Sequence, residues 1–232
     1  MKVEIWSDIA CPWCYIGRRR FETALANFPH RDQVEIVWRS FQLDPTAPKD
    51  QPERTQDMLK KRYNLPDAKV KEMLDNVTHL AELEGLEYHL DKTYSINSMD
   101  AHRVLHLAKE KGVQGEMKER IQRAYFTEGL LLSDADVLVK LAEEVGLDGA
   151  EVRAMLATNE HVSDVQDDIR RAQMIGVQGV PFFLVDERYA VSGAQPAELF
   201  GEALDRAWKD AHPVMILSTD ESGETCEPGR NC

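Results

Sequence analysis

The stretch "SDIACPWCYIGRRRF", residues 7–21, holds two of the chain's four cysteines, Cys11 and Cys14, with Pro12 and Trp13 between them. Three readings compete: a redox centre, half of a metal site, or a packing detail. The flanks narrow the choice. Upstream, Val3 and Ile5 alternate with Lys2 and Glu4, the period of a strand. Downstream, Pro12 to about Phe28 reads as a helix, with Phe21, Leu25 and Phe28 on one side. Next comes "QVEIVWRSF", residues 33–41, in which Val34, Ile36 and Trp38 share one face of a second strand. Strand, helix and strand in this order make a βαβ unit, expected to be parallel and right-handed.

Beyond it the character changes. "DPTAPKDQP", residues 44–52, is a Pro-rich linker. Helical periodicity then covers 53–64, 66–84, 98–111, 114–127, 134–145, 148–157 and 161–175. In the fifth of these, Val137, Leu138, Leu141, Ala142 and Val145 form one stripe, and Ser133 is the expected N-cap. Strand signals return in "GVPFFLVD", residues 179–186, and at Tyr189–Val191, joined by "DER" in a hairpin. Pro196 opens a last helix to about Lys209. Neither end can bury its strands alone, so both must share one sheet. The fold class is therefore α/β, a βαβ…ββα domain made of 1–43 plus 176–210. A helical insertion, 44–175, interrupts it, and a polar tail, 211–232, carries Cys226 and Cys232.

The bulk numbers exclude several functions. The 232 residues are 43% hydrophobic, enough for a sizeable core. A formal charge of −13 predicts weak affinity for phosphate backbones and repulsion from anionic membranes. Nucleic acid and membrane are thus not expected partners. The opening "MKVEIWSD" reads as a strand rather than a signal peptide, and no run reaches the ~18 apolar residues of a membrane span. The expected location is the cytoplasm. There a CxxC is catalytic or metal-binding more often than structural.

Cys11 falls at the mouth of the first helix, and Pro12 is preorganised for its first turn. Unpaired N–H groups and the helix dipole there favour a thiolate, so a depressed pKa is expected. Cys14, nearly one turn deeper, can reach back to Cys11 and should be the more buried. Attack by Cys11 on a disulfide and resolution by Cys14 is the chemistry this spacing suits. Zinc is the competing reading, but Cys226 and Cys232 have five residues between them, outside the usual knuckle spacing. Two inert buried cysteines are a third reading. His102 and His106, four apart, have metal-ligand spacing without the Glu of a zincin. Asp8 is either a proton acceptor for the resolving thiol or a solvated turn residue. Arg18, Arg19 and Arg20 read as a solvated helix face.

"CPWC" after a first strand, then helices, then "GVQGVPFF" and "SGAQP", resembles the DsbA-type branch of the thioredoxin superfamily. Within it the chain is similar to the cytoplasmic FrnE-like group, over residues 1 to about 210. The resemblance implies a thioredoxin-like fold and thiol-disulfide oxidoreductase activity without a cofactor or metal. Its partners would be protein substrates carrying disulfides or thiols, with glutathione or another cellular thiol as a candidate reductant. It implies a cis Pro181 facing the CxxC, and a Val180 backbone that pairs with substrate as an added strand. By the same analogy Asn97 and His102, in "NSMDAHRVLHLAKE" (residues 97–110), line the substrate cleft, and Ser192 and Gly193 lie near a thiol ligand. The family's periplasmic oxidant carries His between its cysteines. Uncharged Trp13 therefore implies a weaker oxidant here. The FrnE-like group also has a second cysteine pair near its end, which implies a Cys226–Cys232 disulfide that exchanges with Cys11–Cys14 or protects it. The alternatives are a glutathione-dependent transferase or isomerase of the hydroxychromene-carboxylate isomerase type, and a thiol-rich metal binder or holdase.

Overall fold

A computed structural model describes residues 1–49 and 52–213. Strand β1 (Lys2–Ser7) leads into helix α1 (Pro12–Asn27) and strand β2 (Glu35–Ser40). α1 stops one residue earlier than the periodicity suggests. Phe28 precedes Pro29 and takes extended backbone, as residues before proline prefer.

The middle of the chain holds α2 (Thr55–Tyr63), α3 (Asp67–Leu83), α4 (Met99–Glu110), α5 (Gln114–Phe126), α6 (Ala135–Glu144), α7 (Gly149–Leu156) and α8 (Val162–Met174). Two corrections arise here. Residues 53–54 begin no helix; Glu53–Arg54 forms a two-residue strand, β3, paired antiparallel with β4 (Tyr94–Ser95). A bridge so short has no periodicity to read. The cap of α6 is Asp134, not Ser133, its carboxylate accepting from the Asp136 N–H at 2.8 Å.

The chain then returns through β5 (Phe182–Val185) and β6 (Tyr189–Ser192) to α9 (Ala197–Ala211), which starts just after Pro196. The sheet order is β2-β1-β5-β6. β1 runs parallel to β2 and antiparallel to β5, so both ends of the chain share one sheet.

One face of the sheet packs on α1 and α9. Phe21, Phe183 and Phe200 meet there with ring centroids 4.5–5.8 Å apart. Each such buried side chain contributes about 1.5–3 kcal/mol. The other face lies under α8, although the sequence reading groups that helix with the insertion. The Trp6 indole donates to the Asp168 carbonyl at 2.9 Å. The Asp168 carboxylate accepts from the Ser40 N–H and the Arg39 guanidinium, both at 2.9 Å. Glu4, expected on a polar face, is buried between Arg39 and Arg171. Burial opposes its charge, but the two guanidiniums outweigh burial and lower its pKa. α1 joins the two parts of the molecule. Its Phe21 and Ala24 enter the sheet core, while Tyr15 and Ile16 enter a second core built from α4–α7.

The three arginines of α1 are not a solvated face. Arg18 is buried against the Trp38 ring and pairs with Glu22 and Glu119. Arg19 pairs with the same two carboxylates, and Arg20 with Glu84 and the Ala194 carbonyl. Among the described residues no helix is long and apolar enough to cross a membrane.

Candidate active site

Cys11 is the N-cap of α1, in extended backbone with no side-chain cap bond, and Pro12 follows in the first turn. The Cys14 N–H donates to the Cys11 carbonyl at 3.0 Å, closing that turn. Both are free thiols, 4% and 1% exposed, so Cys14 is the deeper. The Cys11 thiol donates to the Val180 carbonyl at 3.6 Å. The Val180–Pro181 peptide bond is cis.

The approach of Pro181 to α1 depends on Gly17. A Cβ there would meet Pro181 Cγ at 2.8 Å. A glycine inside a helix costs about 1 kcal/mol against alanine, a hint of close approach that the sequence reading passed over. On the far side of Pro181, its carbonyl accepts the Gly193 N–H at 2.8 Å. Gly193 thus spends its donor on the proline loop instead of offering it to a ligand. Ser192 is exposed and closes the β5–β6 ladder opposite Phe182. Tyr88 braces the helix mouth, its hydroxyl donating to the Pro12 carbonyl at 2.8 Å.

Cys11, Pro12, Trp13 and Asp8 line a cavity of about 290 Å³. Its opposite wall is largely apolar, supplied by α2 and α3 through Met58, Leu59, Met73, Leu74 and Val77, with Phe126 of α5. Nothing in the sequence motif pointed to this wall.

Asp8 is buried, which rules out the solvated-turn reading. It accepts from the Leu43 N–H at 2.7 Å and from His102 Nε2 at 3.3 Å. Burial opposes its charge, yet the bonds from His102 and Leu43 prevail and depress its pKa. Burial lowers the pKa of His102 more than Asp8 raises it, so the pair is a carboxylate beside a neutral imidazole. His102 is fully buried and does not reach the cavity; it holds Asp8 instead. Asn97 is also off the cavity wall. Its amide donates to the Pro45 and Ala47 carbonyls, both at 3.1 Å, pinning the linker. His106 turns to Ser40 and Asp168. Among the described residues, no three His, Cys, Asp or Glu side chains are grouped so as to hold a metal ion. Cys226 and Cys232 lie outside the described residues.

The expected depression of the Cys11 pKa does not appear. The hydrogen bond with Cys14, burial, and repulsion from Cys14 and Asp8 push the Cys11 thiol well above the ordinary range.

A family model for the DSBA-like thioredoxin domain matches residues 2–205. The chain belongs to this family. Within DSBA-like proteins it resembles a probable DsbA oxidoreductase from Streptomyces coelicolor, whose crystal structure superposes with a TM-score of 0.89. Sequence identity is 44%, with 99% of this chain and 97% of the other covered. The uncharacterized protein YwbO of Bacillus subtilis is 28% identical over 204 residues, 87% of this chain and 94% of that protein. The cytosolic disulfide reductase DsbM of Pseudomonas aeruginosa shares the fold at a TM-score of 0.60. It is 20% identical, with 91% of this chain and 98% of that one covered. The DSBA-like fold puts Cys11, Cys14 and the Val180–Pro181 loop side by side. That adjacency requires both ends of the chain.

Proposed function

We propose that the protein is a cytoplasmic thiol-disulfide oxidoreductase that exchanges and isomerises protein disulfides through Cys11 and Cys14. The observation that carries this reading is the Cys11 sulfur at a helix N-cap, at a cavity wall, 3.6 Å from the Val180 carbonyl, with Cys14 one turn inside. Cys11 attacks a substrate disulfide, forming a mixed disulfide and releasing one substrate thiol. Cys14 then attacks Cys11, forming the Cys11–Cys14 bond and releasing the second thiol. The substrate is reduced by two electrons and the enzyme dithiol is oxidised by two. Pro12 and Trp13 shape the helix mouth, and Asp8 sets its charge. Val180 and Pro181 receive the substrate backbone. Glutathione or a similar cellular thiol returns the pair to the dithiol state.

Trp13 supplies no positive charge to the thiolate, so the Cys11–Cys14 couple should be more reducing than the family's periplasmic oxidant, roughly −120 mV. Redox titration in a glutathione buffer measures this; an equally oxidising value overturns it. Insulin reduction and scrambled-ribonuclease refolding, run side by side, test the activity. Cys11→Ser should abolish both, and full activity in that variant rejects the reading. Cys226 and Cys232 complete the proposal as an auxiliary disulfide that exchanges with the central pair or protects it. Replacing both cysteines should alter turnover or resistance to oxidation, and no change in either removes this part.

The small apolar cavity favours a second reading, a glutathione-dependent transferase or isomerase with a small substrate. Relatives of that kind typically carry Ser in place of the first cysteine, so Cys11 with Cys14 argues against it. Conjugation of glutathione to an electrophile would revive it.

A further inference from the structure

Tyr88 lies in the loop between α3 and β4 and is 5% exposed. Its ring stacks against Tyr15 of α1, with centroids 6.2 Å apart, and against Phe126 of α5, at 4.8 Å. Both of its chain neighbours are tied to the end of α5. The His89 N–H donates to the Phe126 carbonyl at 2.7 Å, and the Thr127 hydroxyl to the Glu87 carbonyl at 2.6 Å. The ring is thus fixed, and its hydroxyl donates to the Pro12 carbonyl at 2.8 Å. A brace that served packing alone would need only the ring, because a phenylalanine there has no polar group to bury. The hydroxyl instead reaches into the cysteine turn itself.

The first turn of α1 is short of donors. Of its first three residues, Pro12 has no N–H, and Cys14 gives its N–H to the Cys11 carbonyl at 3.0 Å. The Trp13 N–H is left, with no hydrogen-bond partner among the described residues. It is the second residue of the helix, a position from which the backbone donates to the side chain of the N-cap. Here that side chain is the Cys11 sulfur. The Pro12 carbonyl and the Trp13 N–H are the two ends of one peptide group. They point in opposite directions along the helix, the N–H toward its mouth. A donor on the carbonyl polarises the group and makes the N–H a stronger donor at the other end.

We propose that Tyr88 is a positioning residue for the attacking sulfur: its hydroxyl holds and polarises the Pro12–Trp13 peptide, so that the Trp13 N–H meets the charge that appears on Cys11. This rests on the reading of Cys11 as the nucleophile. The charged and titratable groups around Tyr88 and Cys11 are Cys14, Tyr15 and Arg19 of α1, Asp8 of the preceding turn and Lys118 of α5. The Cys14 hydrogen bond, burial, and repulsion from Cys14 and Asp8 oppose a thiolate at Cys11, and the unspent Trp13 N–H works against them. Tyr88 keeps its own proton throughout. Burial and then Cys11 hold the phenol well above its ordinary pKa, so it stays a donor. A loop of the helical insertion thereby adjusts a sulfur that belongs to the other part of the chain.

The test compares the reduced wild type with Tyr88→Phe, both as the full chain. Alkylation of Cys11 by iodoacetamide, read by peptide mass over a pH series, gives the titration of the thiol. Losing the hydroxyl should shift the Cys11 acid constant roughly threefold toward the thiol, the scale of polarising one hydrogen bond to a charged group. Alkylation at neutral pH should slow, while the alkaline plateau, where the thiolate is complete, does not fall. A purely structural brace would lower the denaturation midpoint of Tyr88→Phe and leave the titration where it is. With nitrogen-labelled tryptophan, the Trp13 amide-proton signal should follow the Cys11 titration in the wild type and move less far in the variant. An unchanged Cys11 titration in Tyr88→Phe overturns the proposal, and so does a Trp13 amide that does not respond to Cys11 ionisation. If Tyr88→Phe fails to fold, the wild-type Trp13 amide decides alone. Full insulin reduction by Cys11→Ser would remove the underlying reading and the proposal with it.

Discussion

Asp8 stands three residues before Cys11 and adds a fixed negative charge beside the thiol pair. Asp8→Asn keeps an acceptor for the Leu43 N–H and removes that charge. The Cys11 pKa should fall, and alkylation at neutral pH should speed up several-fold; a slower rate counts against the electrostatic account. The same variant has a signature in acid. The folded pKa of Asp8 lies below its unfolded value of about 3.9, so its contribution to stability is complete above that pH. It disappears as pH falls through the lower folded value. Acid titrations of urea unfolding should therefore show a shallower decline for Asp8→Asn than for the wild type. At this scale the cysteine motif was legible, because its spacing and the helix start are local. Asp8 and His102 were legible as candidates, but their pairing was not, because they lie 94 residues apart in sequence.

At the scale of elements, α1 and the proline loop touch where a side chain would not fit. Gly17→Ala drives its Cβ toward the Pro181 ring, which is rigid and cannot swing away. Overpacking of this kind costs about 1–3 kcal/mol, outweighing the gain in helix propensity. Urea denaturation should show that loss. Insulin reduction should fall further than stability alone accounts for, since the Val180 carbonyl beside Cys11 moves with the ring. Activity at the wild-type level would mean that the contact has no functional weight. The helices could be read from the sequence to within a residue or two, because amphipathic stripes such as Val137 to Val145 repeat over three turns. The β3–β4 ladder had no such repeat. The arginine run misled for another reason: its carboxylate partners Glu84 and Glu119 arrive from separate helices.

For the whole molecule, α8 fastens the return of the chain onto the sheet through Asp168. Asp168→Ala would leave the Ser40 N–H without its acceptor and take a partner from both the Arg39 guanidinium and His106. Breaking a buried pair by removing one partner costs about 3–5 kcal/mol. Equilibrium unfolding should register a loss of that order, and a change below about 1 kcal/mol would contradict it. That the two ends of the chain form one sheet followed from the sequence, since a lone βαβ unit or hairpin cannot bury its strands. That α8 covers the back of this sheet did not follow, because its pattern matches any surface helix.

The hollow over Cys11 has a consequence for which reagents get in. At about 290 Å³, with Cys11 only 4% exposed, it admits peroxide or a single side chain without rearrangement, whereas a folded protein must first part α2 and α3 from the cysteine turn. The thiol is shuttered by size, so a series of thiol-directed labels of increasing bulk should show a sharp drop in rate on this chain and a gentle one on its unfolded form.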